Sequence, residues 1–338
     1  MCMPLRAASI PDMLHLMRRT IRWMLMLAPL VTAAQDIAVV EKKAGMVAFY
    51  TADGKRTGEV KVGTHPHEML FSADRKLLYV SDNGMLWMTD KGEGWNSISI
   101  INVAERKKAG VIDLGNYRRP HGMALNPKTG LIISTIENPY GLLLIDPAAR
   151  KVLRKFDVQG TSPHMAIYGP GHETAWVSNS GTGTVGIVNL KSGAVKLMPV
   201  GKNPQGAVMT RDEKLIYLTI SEENHIAIID TAKQQVIGKI PTGGAPARLA
   251  LTPDEKMLVY NWQQDGVAFA DIAARKEVAS LKLPGRPLSL YLSKDGKRAY
   301  LGIQDSDKVV MVDAVQRKVA KTFDTPKGHG PDTIVELP

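Results

Sequence analysis

Three Pro-His pairs recur along the chain: Pro66-His67, Pro120-His121 and Pro163-His164. Imidazole ligates Zn, Cu, Fe or Ni, and it also serves as a general acid or base near neutral pH. His65 stands immediately before Pro66, and His329 lies two residues before Pro331. His65, His67, His121, His164 and His329 are therefore the candidate ligands for a transition metal, and His65 and His67 the candidates for a catalytic base. Arg118 and Arg119 precede Pro120, Arg248 and Arg286 flank two further prolines, Pro246 and Pro287, and a guanidinium fork suits a carboxylate or phosphate. The plainer alternative stays open, in which Pro-His is a recurrent turn and each imidazole bonds to backbone. There is no GxSxG elbow, no Walker loop, no dinucleotide fingerprint after a strand and no CxxCH, so no catalytic nucleophile is assigned.

The elements that position these side chains follow from the prolines. Pro66, Pro120, Pro163, Pro204, Pro246, Pro287 and Pro331 recur roughly every 42 residues, and self-similarity at that period marks a repeat architecture. Each proline opens an apolar stretch (strand a) that ends in a turn. A strand rich in β-branched and aromatic residues (b) follows, such as 77–81, 175–179 or 215–219. A third run (c) ends in an acid or amide, as at Asp146, Asn189, Asp230 and Asp313, and a polar fourth run (d) suits an outer edge. Four antiparallel strands per repeat describe the blade of an all-β propeller. Runs at 37–41, 46–51 and 57–62 precede Pro66, whereas one run, 332–337, follows Pro331. Three strands from one end and one from the other complete a shared blade, which predicts a closed ring of seven.

Strand order then places the d–a and b–c connections on one face. The residue after each proline rings the mouth of the central channel: His67, His121 and His164, with Gln205, Ala247 and Leu288 at equivalent positions. The b–c loops add Asp82, Glu137, Asn138, Asn179, Glu222, Glu223, His225, Asp265, Asp305 and Asp307, all residue types that are also ordinary in turns. The first repeat is about a dozen residues longer than the others, and the excess falls in its b–c loop, 83–96. That loop carries Met85, Leu86, Trp87, Met88 and Trp95, which suggests a lid or partner contact through Trp87 unless the loop packs on its own blade.

Strand b and its turn, Tyr79-Val80-Ser81-Asp82, Trp176-Val177-Ser178-Asn179 and Tyr217-Leu218-Thr219, resemble the YVTN family of β-propellers, the YncE-like group. The runs Ile226-Ala227-Ile228-Ile229-Asp230 and Gly244-Ala245-Pro246-Ala247-Arg248-Leu249-Ala250-Leu251-Thr252-Pro253-Asp254 strengthen the likeness. It covers residues 37–338 and is architectural, so it implies a seven-bladed ring rather than an activity. The segment Thr64-His65-Pro66-His67 is similar to lactonase-type propellers, a weaker resemblance that implies a hydrolase using His65 or His67 on a bound water.

Residues 17–22 are basic, residues 23–31 are apolar and Thr32-Ala33-Ala34 are small, the pattern of a secretory signal peptide with translation starting at Met17. The expected organisation is a leader over 1–34 and a propeller over 35–338, periplasmic or secreted, without membrane insertion once the leader is cleaved. Cys2 falls in the leader and leaves the propeller without thiol chemistry. The net charge of +10 is dispersed, with no run of five basic residues, so a nucleic-acid partner is not indicated. The reading is a monomeric binding or scaffold propeller whose histidine-rich mouth takes a small molecule, a metal or a protein. A lactonase-like or metal-dependent enzyme using the same histidines is the alternative.

Overall fold

The computed structural model describes Met1 and residues 35–338, of which 35–338 form one compact unit. The expected leader and its start at Met17 lie outside the described residues. Among the described residues no helix is long and apolar enough to cross a membrane.

Seven four-stranded antiparallel sheets follow one another along the chain, each in the order a-b-c-d. Blade 1 runs from Pro66–Phe71 to Lys107–Asp113, blade 2 from Arg118–Leu125 to Lys151–Phe156, and blade 3 from Pro163–Tyr168 to Val195–Pro199. Blades 4, 5 and 6 end in Gln235–Pro241, Lys276–Lys282 and Lys318–Asp324. Blade 7 takes Ile37–Glu41, Met46–Tyr50 and Arg56–Lys61 from the start of the domain and Pro331–Glu336 from its end, so the shared blade is built as the strand count requires. Successive strands a touch all the way round, and the strand of blade 7 meets that of blade 1.

The core is distributed between the blades. Leu78 and Val80 pack toward blade 7 with Val40 and Phe49, while Tyr79 faces the other way, toward Ile132 and Ile145 of blade 2. The same alternation puts Trp176 and Tyr217 into successive inter-blade layers. Because both faces of a blade are covered, strands b and c read as near-continuous apolar runs. The polar d strands form the rim, where lysines alternate with exposed Leu153, Val236 and Val278.

Six of the seven strands a carry an irregularity near their start. Pro66 opposes Asp82 and Met69 opposes Val80, so strand a has one residue more than strand b over this stretch. The same extra residue follows Pro120, Pro163, Pro204, Pro246 and Pro331. A bulge of this kind re-aims the residue it contains, and the bulged position is the residue after the proline.

Candidate functional site

A second repeated device fixes these bulged residues. The amide of the second residue after the proline donates to a strand-b hydroxyl or amide: Glu68 to Ser81 (2.9 Å), Gly122 to Thr135 (2.9 Å), Met165 to Ser178 (3.1 Å), Gly206 to Thr219 (2.9 Å) and Arg248 to Asn261 (2.7 Å). Three of the hydroxyls also donate across to the next blade. Thr135 binds the carbonyl of His164 (2.8 Å), Ser178 that of Gln205 (2.8 Å) and Thr219 that of Ala247 (2.7 Å). One side chain therefore fills the gap in its own bulge and holds the neighbouring blade's site residue, and at Thr135 and Thr219 all of these bonds are buried.

The bulges bring His67, His121 and His164 together. Ring centroids lie 4.3 Å apart for His67 and His121 and 4.4 Å for His121 and His164, and all three side chains are buried. The Nε2 atoms of His67 and His121 face each other at 2.8 Å. Their Nδ1 atoms point to carboxylates, His67 to Asp332 Oδ2 and His121 to Glu137 Oε1, each at 2.6 Å. His164 Nδ1 is buried without a partner among the described residues. Burial, reinforced by the positive groups around them, holds His121 and His164 well below the ordinary imidazole range, so both are neutral at pH 7.

Three acids and three cations surround the rings. Lys42, in the short b–c turn of blade 7, lies 3.3 Å from Asp332 Oδ2 and 3.1 Å from His67 Nδ1. Arg248 pairs with Glu68, and Arg119 binds Glu137 at 2.8 Å. Burial alone would raise Asp332, but His67 and Lys42 beside it hold its carboxyl below the ordinary range. Glu137 goes the other way: burial outweighs Arg119 and pushes it up to about 7.

Above the rings lies a cavity of about 470 Å³, within the range of small-molecule sites. Its floor includes His67, His121 and His164, and its far wall Gln205, Ala247 and Arg248. The long loop 83–96 roofs it with Met85, Leu86, Trp87 and Met88, and Arg286 of blade 6 lies 5.0 Å from the Trp87 ring centroid. Arg119 ties roof to floor, since it also donates to the Met88 carbonyl at 3.0 Å.

Some expected residues stay out of this cluster. His65 precedes the proline in the left-handed region (φ 41°), and its Nδ1 contacts the Gly84 carbonyl at 3.2 Å. His329 sits earlier in the d–a connection and contacts Glu41 Oε2 at 2.6 Å, sharing that acid with Arg56 and Tyr50. Arg118 pairs with Glu93 at 3.5 Å and donates to Gly94, supporting the loop from outside the cavity. Among the b–c acids, Glu137 lines the cavity, whereas Asp82 binds Ser97, Ser99 and the Gly63 amide, and Asp307 binds the Gly328 and Gly330 amides. These last two acids hold the connections between blades. Trp95 of the long loop is exposed, at 45%.

Three residues of the cluster, Asp332, Glu68 and Lys42, were not among the candidates. Asp332 follows Pro331 and is thus the seventh member of the post-proline ring, so the signal for it was the repeat register itself. Lys42 sits in a three-residue turn of the shared blade and carries no sequence signal beyond its charge.

No protein-family model matches the chain, and no curated protein matches it. Solved structures do. A hydrazine synthase chain from Kuenenia stuttgartiensis superposes with a TM-score of 0.67 at 20% identity, over 80% of this chain and 89% of that one. The dihydro-heme d1 dehydrogenase NirN, in complex with DHE, gives 0.62 at 14% identity over 90% and 75%. A protein of unknown function from Desulfotomaculum acetoxidans gives 0.73 at 13% identity over 90% and 99%. The likeness is one of fold.

Proposed function

We propose that this chain is an exported binding propeller of YVTN-like repeats, which holds a small carboxylate-bearing molecule in the roofed cavity at one mouth of its axis. The observation that carries this reading is Arg248: it lines the cavity, and its Nη1 is buried with no partner among the described residues. A buried donor left unpaired costs about 1–3 kcal/mol or more when it is charged, and a ligand oxygen satisfies it. Arg286 supplies a second guanidinium with no carboxylate in ion-pair range among the described residues, and Trp87 with the neighbouring methionines supplies an apolar cover. Export rests on the basic, apolar and small-residue succession at 17–34.

A thermal-shift panel of oxalate, malate, succinate and citrate tests it, because a ligand that binds only the folded state raises its stability by mass action. At least one anion is expected to raise the melting temperature of the wild type. Arg286→Ala or Trp87→Ala is expected to weaken that anion about tenfold, near 1.4 kcal/mol. A panel that shifts wild type and both variants alike removes the reading.

A hydrolase using the same floor is favoured by Glu137, which near pH 7 can take or give a proton through His121. Turnover of a lactone that disappears in His67→Ala supports this second reading, and no His67-dependent turnover sinks it.

A further inference from the structure

From the opposed imidazoles we infer that the floor of the cavity is a mononuclear site for a divalent transition-metal ion, ligated by Nε2 of His67, Nε2 of His121 and the carboxylate of Glu68. A nitrogen lone pair facing an ionised carboxylate at 2.6 Å is repulsive, so with both acids ionised each Nδ1 carries the hydrogen and donates it, His67 to Asp332 and His121 to Glu137. Both Nε2 atoms then present lone pairs to each other at 2.8 Å. That contact is stable only with a cation at its focus, either a shared proton or a metal ion.

The geometry fits the metal. With metal–nitrogen distances of about 2.0–2.1 Å, two nitrogens 2.8 Å apart subtend roughly 90° at one ion, the angle between adjacent positions of an octahedron. Glu68 Oε1 lies 3.8 Å from His67 Nε2, and ligand atoms of His67, Glu68 and His121 all fall within 4.8 Å of one another. At 3.8 Å the carboxylate stands wider than the roughly 2.9 Å between adjacent ligand atoms of an octahedron, so Glu68 moves inward on binding, and three protein ligands leave the other positions open.

Ligating histidines commonly donate their other ring N–H to a carboxylate, which fixes the tautomer and the ring, and Asp332 and Glu137 are placed to accept those hydrogens here. Arg248 and Thr333 in turn hold Glu68. The three cations Lys42, Arg119 and Arg248 are each paired with one of the three acids, so a divalent ion brings uncompensated charge into the floor. A carboxylate ligand in the cavity would neutralise it. That last step rests on the binding reading above; the ion itself does not.

Calorimetric titration of chelator-treated protein with Co(II), in buffer free of carboxylates, reads the ion alone. One equivalent is expected, with a visible spectrum of five- or six-coordinate Co(II) and paramagnetic displacement of the His67 and His121 ring signals. His67→Ala and Glu68→Gln are expected to abolish or strongly weaken binding, Asp332→Asn to weaken it about 10–100-fold, and His225→Ala to leave it unchanged. Asp332→Asn keeps the shape of the site, so it decides the matter should the alanine variant fail to fold.

Absence of stoichiometric Co(II) binding by the wild type, or binding that leaves the His67 and His121 signals unmoved, overturns the inference and leaves a shared proton between the rings. Binding of Co(II) without any anion-induced thermal shift would uphold the metal and remove the small-molecule reading. An anion shift without Co(II) binding would do the reverse.

Discussion

Each blade contributes one residue, the one after its proline, to the ring round the axis. The seven are His67, His121, His164, Gln205, Ala247, Leu288 and Asp332. Three histidines fall on adjacent blades, and the acid of the ring falls on the other side of His67, so blade order sets which groups meet. Asp332 is fully buried, and its Oδ1 has no partner among the described residues, so its cost is offset chiefly through Lys42 and His67. Asp332→Leu copies the residue that blade 6 uses at this position, but it strands the buried ammonium of Lys42. A loss of about 3–5 kcal/mol is expected in denaturant unfolding, and Asp332→Leu with Lys42→Met should recover most of it. Recovery of nothing would mean that the pair is not the buried partnership described here. The histidines were legible in the sequence because Pro-His repeats; His65 and His329 were misplaced because nearness in sequence to a proline is not membership of the bulge.

At the scale of the element, the bulge and the hydroxyl that plugs it do the positioning. Thr135→Val keeps the shape of the side chain but leaves the His164 carbonyl and the Gly122 amide without their buried partner. A loss of about 1–3 kcal/mol is expected, read by thermal unfolding, together with faster amide exchange at Gly122. A change within error would show the hydroxyl to be incidental.

Asp82, which closes strand b of blade 1, makes a prediction with a pH sign. Burial raises its carboxyl above the ordinary value, against the bonds from Ser97, Ser99 and the Gly63 amide. The folded state therefore binds this proton more tightly than the unfolded state does, and the contribution of Asp82 to stability grows as pH falls from neutral toward the ordinary aspartate range. Blade 3 carries Asn179 at the same register, opposite its proline. Asp82→Asn is expected to fold, to lose this acid-side gain and to match or exceed the wild type at pH 8 in paired melts. A wild type that loses stability relative to Asp82→Asn on acidification contradicts the sign. The bulge was not legible, because a one-residue excess on a strand is invisible in a pattern of apolar runs. The plug residues were in view as the third letter of the strand-b motif, without their role.

For the whole molecule, seven blades and their closure followed from proline spacing and from counting strands at the two ends, since a ring with three strands over at one end needs one at the other. The long loop was also legible, as an interval of excess length. Its fit over the axis was not, because that depends on Arg286, a blade 6 residue two blades round the ring. Closure carries the site as well as the fold, since Pro331–Glu336 brings Asp332, while Glu336 binds Arg298 and Tyr300 of blade 6 at 3.0 Å. A chain ending at Gly330 is expected to lose cooperative unfolding, and a synthetic 331–338 peptide to restore part of it by adding the missing strand. Unchanged melting of the shortened chain would deny that the shared strand closes the ring.

The binding account is tested most directly by a crystal structure of residues 35–338 grown with whichever of the four carboxylates shifts the melting temperature most. That anion is expected in the 470 Å³ cavity, beneath Trp87, with a carboxylate oxygen on Arg248 Nη1. An anion seated elsewhere on the propeller, with Arg248 Nη1 still unpaired, would contradict it.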